Sequence, residues 1–307
     1  LAVIMTSAHL SQQQREKLLG LGANLCLAKP YTPEELLASL QNSGLTKTVN
    51  TSTGDTFEAI QARLGDESAA VVMIDCENGD LAAIASAPSY DPNLFIGGIS
   101  SADYDPLLNS KYRPLVNKTV QGAYPPGSTF KMVTALAALE AGIVTSEDSF
   151  RCKGHLEVYS QKFGCWKRSG HGNVSLVQAL RESCDVYFYD LARKMTIDGM
   201  HEQLKPYGLG SRTGIDTTSE RPGVLPSTRW KREARATTWY PGETLSAGIG
   251  QGYMLATPLQ LAVATAVMGS GGEHRTPQFL KATDGRETQS NKSRAITASA
   301  EMFEVLP

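Results

Sequence analysis

The stretch Gly122–Gly142, GAYPPGSTFKMVTALAALEAG, decides the reading of this chain. A proline-glycine turn runs into Ser128-Thr-Phe-Lys131, and a nearly unbroken apolar helix follows. Residues three apart on a helix share a face, so Ser128 and Lys131 point the same way. Burial against Met132–Leu139 penalises a charged lysine. A neutral amine beside a hydroxyl is a general base beside a nucleophile. The start of the helix adds positive potential and free amides, which suit a developing oxyanion. The spacing therefore predicts that Lys131 takes the proton of Ser128.

The 307 residues hold 29 Lys+Arg against 31 Asp+Glu, with 41% hydrophobic and 20% charged residues. Such a chain can bury a full core and has room for about two domains. Its near-neutral balance argues against nucleic acid as a partner. No apolar run reaches the roughly 18–20 residues of a membrane span. The opening LAVIMTSAHLS lacks an initiator Met and the pattern of a signal peptide, so the chain reads as a piece of something longer.

Upstream, LAVIM and NLCLAKP read as short strands, each next to a helical segment; TPEELLASLQ has Thr32 as N-cap and Pro33 at the first helical position. With Ser7 after the first strand and Lys29-Pro30 after the second, residues 1–41 resemble the C-terminal part of a response-regulator receiver domain. The resemblance covers about a third of a receiver and offers no counterpart of its phospho-accepting aspartate, so no signalling activity is expected. We divide the chain into a receiver-like fragment at 1–44, a polar linker at 45–56 and a second body at 57–307.

That body opens with two apolar runs around Asn78-Gly79, a hairpin signal. Further on, NVSLVQALRESCDVYFYDLARKM holds two helical stretches, the first with Ser175 and Gln178 as a capping box. Thr257 and Pro258 start another helix, with Gly269 as its stop. Strands first and helices afterwards predict an α+β fold with an antiparallel sheet and a helical region.

A second motif, Ser183-Cys184-Asp185, sits between the two predicted helices. Ser-x-x-Lys paired with a Ser-x-Asn-like element belongs to penicillin-recognising enzymes. Together with PSYDPN, PLVNKTVQGAYPPGSTFK, TGID and GIGQGYMLATPLQLA, these residues resemble the transpeptidase domain of class B penicillin-binding proteins, in their elongation-type (penicillin-binding protein 2) subgroup. The resemblance implies the penicillin-recognising, β-lactamase-like fold. It implies serine D,D-transpeptidation of peptidoglycan stem peptides through an acyl-enzyme, with β-lactam antibiotics as inhibitors. Ser128 would be the nucleophile, Lys131 its base, and Ser183 and Asp185 the second motif. Aspartate in place of asparagine is a variation known in this subgroup. Elongation-complex membrane proteins would be partners, on the periplasmic side of the inner membrane. A β-lactamase, a penicillin sensor and an inactive fragment are the alternatives.

The family's third motif, Lys-Thr/Ser-Gly, would follow GQGYMLATPLQLA. Arg212-Thr213-Gly214 comes too early and Lys292-Ser293 is followed by Arg294, so the domain reads as C-terminally truncated.

Of five cysteines, Cys26 and Cys76 read as packing. Cys152, Cys165 and Cys184 cluster in sequence with His171, matching a structural zinc shell of three thiolates and one imidazole. In an oxidising periplasm a Cys152–Cys165 disulfide is the rival, and free buried thiols are the third possibility. His155 is expected to be an exposed strand-end residue, and Trp166 a piece of core or groove wall.

Overall fold

The computed structural model describes residues 68–158, 160–217, 219–278 and 293–296, and the backbone alone of 2–7, 25–28, 282–283 and 286–287. The predicted helices of the first 44 residues, the linker at 45–56, Lys29 and Thr32 lie outside the described residues.

Two short strands, β1 (Ala2–Ser7) and β2 (Leu25–Ala28), pair in parallel. The hairpin expected at Asn78-Gly79 is formed by β3 (Ala69–Asp75) and β4 (Leu81–Ala87), antiparallel, with Val72 opposite Ile84. Gly79 supplies the left-handed φ of 81° that the turn requires, and Asn78 Oδ1 accepts the Asp80 N–H at 2.8 Å. β1 runs parallel to β3, so the sheet order is β2-β1-β3-β4. The sheet is therefore mixed: the antiparallel expectation holds for the hairpin, and the N-terminal strands add parallel pairs.

After β4 come two short elements, α1 (Ser101–Asn109) and α2 (Lys118–Gln121). The quoted stretch folds as a 3₁₀ turn over Gly127–Phe130 and then α3 (Lys131–Glu140). Every residue of α3 from Lys131 to Leu139 is buried, as a helix apolar on all sides must be. Two small hairpins follow: β5 (Ser149–Cys152) pairs with β8 (Gly172–Ser175), and β6 (His155–Val158) with β7 (Gln161–Gly164). Next are α4 (Leu176–Arg181), with its Ser175/Gln178 capping box formed, α5 (Asp185–Met195) and α6 (Ile197–Leu204). Further helices are α7 (Thr228–Arg235), α8 (Pro241–Gly248) and α9 (Pro258–Gly269). Thr257 and Gln260 form a capping box at the start of α9. Short strands β9 (Glu273–Arg275), β10 (Ala282–Thr283), β11 (Arg286–Glu287) and β12 (Ser293–Ala295) complete the described elements.

The main core surrounds α3, which packs on α5 and α6, while α8 packs on α5 from another side. A smaller core lies where Leu259, Ala262 and Val263 of α9 meet Val72 and Ile74 of β3. α9 thus covers the sheet, packing on β3 and β1. No described helix is long and apolar enough to cross a membrane.

Candidate active site

Ser128 lies in the 3₁₀ turn and is exposed, whereas Lys131, at the first position of α3, is 2% exposed. The turn is held by a long-range contact. Gly127 N–H donates to Gly250 O at 2.9 Å. Gly250 has φ 69°, and a Cβ there would meet Gly127 O at 2.5 Å and Phe130 Cβ at 2.7 Å. The GIGQG segment therefore needs glycine at this position to bring its backbone against the turn that carries Ser128.

Ser183 comes from a helix end. Ser183 N–H donates to Leu180 O at 3.1 Å and Cys184 N–H to Ala179 O at 2.8 Å. This is the Schellman pattern that closes α4, and Ser183 occupies its left-handed position with φ 50°. Glycine or asparagine is the ordinary choice there, and serine in that region carries backbone strain. The strain aims the hydroxyl at the site: Ser183 Oγ donates to Ser128 Oγ at 3.0 Å.

Asp185 opens α5, where the helix dipole favours a negative charge. Its Oδ1 lies 2.6 Å from Lys131 Nζ, and its Oδ2 accepts the Trp166 backbone N–H at 3.1 Å. Lys131 Nζ also donates to Ser183 O at 2.9 Å and Ser183 Oγ at 3.0 Å. An ammonium has three donors, and these three contacts use them all. Ser128 Oγ thus connects to Lys131 through Ser183 Oγ. Within its apolar surroundings Lys131 has Asp185 against it, a hydrogen bond that the residues of the second motif allowed.

A second cluster abuts the first. Cys152, Cys165, His171 and Cys184 bring their ligand atoms within 4.8 Å of one another, and the three cysteines are fully buried. All three sulfurs are free thiols. His171 Nδ1 lies 3.6 Å from Cys165 Sγ, while its Nε2 is buried without a hydrogen-bond partner. Burial pushes the Cys184 thiol pKa up and the His171 pKa down. His155 starts β6 in an exposed position, apart from this group. Cys76 is buried, with its thiol pushed up to about 12 by burial, in keeping with a packing role. Trp166 is 60% exposed and so is no core residue. Its ring contacts His171 at 5.3 Å between centroids, and its indole N–H donates to Glu182 O at 3.0 Å.

The geometry thus joins Ser128, Lys131, Ser183 and Asp185, from helices distant in sequence, and sets the Cys/His group directly behind Asp185. Two contributors had no role in the sequence reading. Gly250 stood in a quoted motif without a stated function; its only local signal was glycine density. The backbone N–H of Trp166 carries no side-chain signal at all.

Residues 69–305 match the family model described as penicillin binding protein transpeptidase domain. The chain is 44% identical over 225 residues to peptidoglycan D,D-transpeptidase MrdA of Acinetobacter baumannii, covering 73% of this chain and 34% of that protein. It therefore spans about a third of the length of that relative. Among solved structures it is similar to Pseudomonas aeruginosa PBP2 in complex with WCK 5153, with TM-score 0.74 and 43% identity over 77% of this chain and 53% of the other. It is also similar to PBP2 of Helicobacter pylori in its complex with MreC, with TM-score 0.71 and 36% identity over 77% of this chain and 44% of the other. The chain belongs to the penicillin-binding protein transpeptidase domain family, and its described body has that family's fold.

Proposed function

We propose that this chain carries the acylation centre of a peptidoglycan D,D-transpeptidase of the cell-elongation type. The observation that carries the proposal is the chain Ser128–Ser183–Lys131–Asp185, in which a hydroxyl, a second hydroxyl, a lysine amine and a carboxylate are linked at 3.0, 3.0 and 2.6 Å, the amine acting as base when it is unprotonated. Ser128 attacks the carbonyl of a D-alanyl-D-alanine stem peptide or of a β-lactam. Lys131 receives the proton through Ser183, and Ser183 returns it to the leaving group. Asp185 orients Lys131 and is itself oriented by the Trp166 N–H. The relatives named as D,D-transpeptidases and as PBP2 support this reading. The complex of H. pylori PBP2 with MreC supports elongation-complex proteins as partners; the periplasmic side of the inner membrane as the place of action belongs to the same proposal. The family match from residue 69 supports 57–307 as the catalytic body; 1–44 as a receiver-like fragment and 45–56 as a linker belong to the same proposal.

The Cys/His group fits a structural zinc. A tetrahedral shell with Zn–S of about 2.3 Å has ligand edges near ~3.8 Å, so atoms already within 4.8 Å need only a small contraction. Cys152, Cys165, Cys184 and His171 would hold the ion, which would fix the backbone between Ser183 and Asp185. Elemental analysis of protein purified without chelator should find about one zinc per chain, against none for Cys184→Ser. A metal-free protein with a Cys152–Cys165 bond would end this part of the reading.

A fluorescent penicillin tests the main proposal. A stable adduct on the intact chain, absent in Ser128→Ala, is expected by intact mass. Rapid release of the label would make the centre a β-lactamase, and an adduct retained in Ser128→Ala would overturn the assignment.

A further inference from the structure

Away from Ser128–Lys131, a cavity of about 460 Å³ lies between the start of β3, the first turn of α9 and the segment Tyr124–Pro126. Its lining mixes apolar residues, Ala70, Pro125, Pro258 and Leu261 among them, with the polar side chains of Ser68 and Tyr124. Lys118 of α2 also lines it. Lys118 is 5% exposed, and its Nζ is shut off from water with no hydrogen-bond partner among the described residues. A buried ammonium without a counter-charge is costly. Its amine is also held below the ordinary lysine pKa by burial and then by the charge of Arg113. Pro258 and Leu261 belong to the N-terminal turn of α9, a twelve-residue helix, so the helix dipole adds to the positive potential of the same cavity.

We propose that this cavity is a binding site for a small aliphatic monocarboxylate, with Lys118 pairing the carboxylate and the proline, alanine and leucine walls covering the apolar body. One ammonium balances one negative charge. Lys118 is the one cationic side chain among the described lining residues, which suits a monoanion better than a dianion. The lysine stem has four rotatable bonds, so a small turn of its end brings Nζ from its shielded position to the cavity floor. The volume is that of an ordinary small-molecule pocket. The site is separate from the Ser128 cluster, and nothing in the proposal depends on acylation.

The probe is hexanoate, with hexanamide as its uncharged counterpart, titrated into the 307-residue chain by calorimetry. Hexanoate should bind once per chain and raise the melting temperature saturably, and hexanamide should bind at least about tenfold more weakly, the scale of one charge-assisted contact. Lys118→Met should lose hexanoate binding by a similar factor, while Lys162→Met, at an exposed lysine outside the lining, keeps it. Amide resonances of Ala70 and Tyr124 should shift on titration and those around Trp166 should not, a readout that does not need the variant to fold. Equal binding of hexanamide, undiminished binding in Lys118→Met, or loss of binding in Lys162→Met in its place would each overturn the proposal.

Discussion

Lys131 and Lys231 are each 2% exposed, and each has a carboxylate oxygen at 2.6 Å, Asp185 for the first and Glu243 for the second. Each also sits near aromatic rings: Phe188 at 5.7 Å for Lys131, and Tyr240 at 4.6 Å with Tyr253 at 5.5 Å for Lys231. By burial and pairing the two regions are alike. They differ in what else the ammonium touches. Lys131 spends its remaining donors on Ser183, whose hydroxyl leads to the exposed Ser128. Lys231 spends its contacts on both oxygens of Glu243, at 2.6 and 2.7 Å, and Glu243 in turn accepts the Tyr240 N–H at 2.8 Å, which ties down the start of α8. A buried ion pair is therefore no sign of catalysis by itself; a hydroxyl path from it to the surface is.

The comparison is sharpest in Lys131→Met. Losing the base should slow covalent penicillin labelling about a thousandfold, within the usual range for a general base. Lys231→Met should label at an unchanged rate per folded molecule. Time courses with a fluorescent penicillin check both, and a comparable loss in the two variants would erase the distinction drawn between the regions.

Ser183→Gly separates strain from chemistry. Removing the hydroxyl breaks the link between Ser128 and Lys131 and should slow labelling about a hundredfold, the scale of one lost catalytic contact. Glycine also relieves the φ of 50°, so the variant should be more stable by about 0.5–1 kcal/mol in a denaturant titration. Lower stability together with unchanged labelling would show that Ser183 only packs.

In Lys231→Met the expected loss is in stability. Removing one partner of a buried pair commonly costs about 3–5 kcal/mol. Glu243 keeps 25% of its side chain exposed and can recover some hydration, so about 2–3 kcal/mol is expected from the denaturation midpoint. A shift below about 0.5 kcal/mol, the size of an ordinary surface substitution, would mean that the aromatic surroundings and not the ion pair hold α8.

The smallest effect concerns a base held neutral. Burial, and then the charge of Arg294, keep the His274 pKa below the ordinary value of 6.5. Because the folded-state value is depressed, the unfolded chain binds the proton first, and His274 removes stability as pH falls below 6.5 towards that lowered value. His274→Gln should flatten this part of the stability-pH curve. An identical slope in variant and parent would remove His274 from the balance.

Much was legible from residue order because the physics is local. The hairpin follows from Asn78-Gly79 between apolar runs, the capping boxes at Ser175 and Thr257 from hydroxyls placed three residues before Gln178 and Gln260, and the buried α3 from its composition. Ser128 and Lys131 are one turn apart, so their nearness was legible, while the hydroxyl that links them was not. The four groups Cys152, Cys165, His171 and Cys184 were near enough in sequence to be considered together.

Tertiary structure decided the rest, because it depends on contacts between distant segments. Ser183 lies 55 residues from Ser128, and only the end of α4, with its left-handed backbone, sets its hydroxyl between Ser128 and Lys131. Asp185 and the Trp166 N–H meet across 19 residues, and Gly250 comes from far along the chain to seat the turn before Ser128. Lys118 and Lys231 looked like any surface lysines in the sequence. Their burial comes from segments that pack over them, and whether a carboxylate arrives with the packing, as Glu243 does for Lys231 and none of the described residues does for Lys118, is a matter of three-dimensional neighbours that periodicity cannot encode.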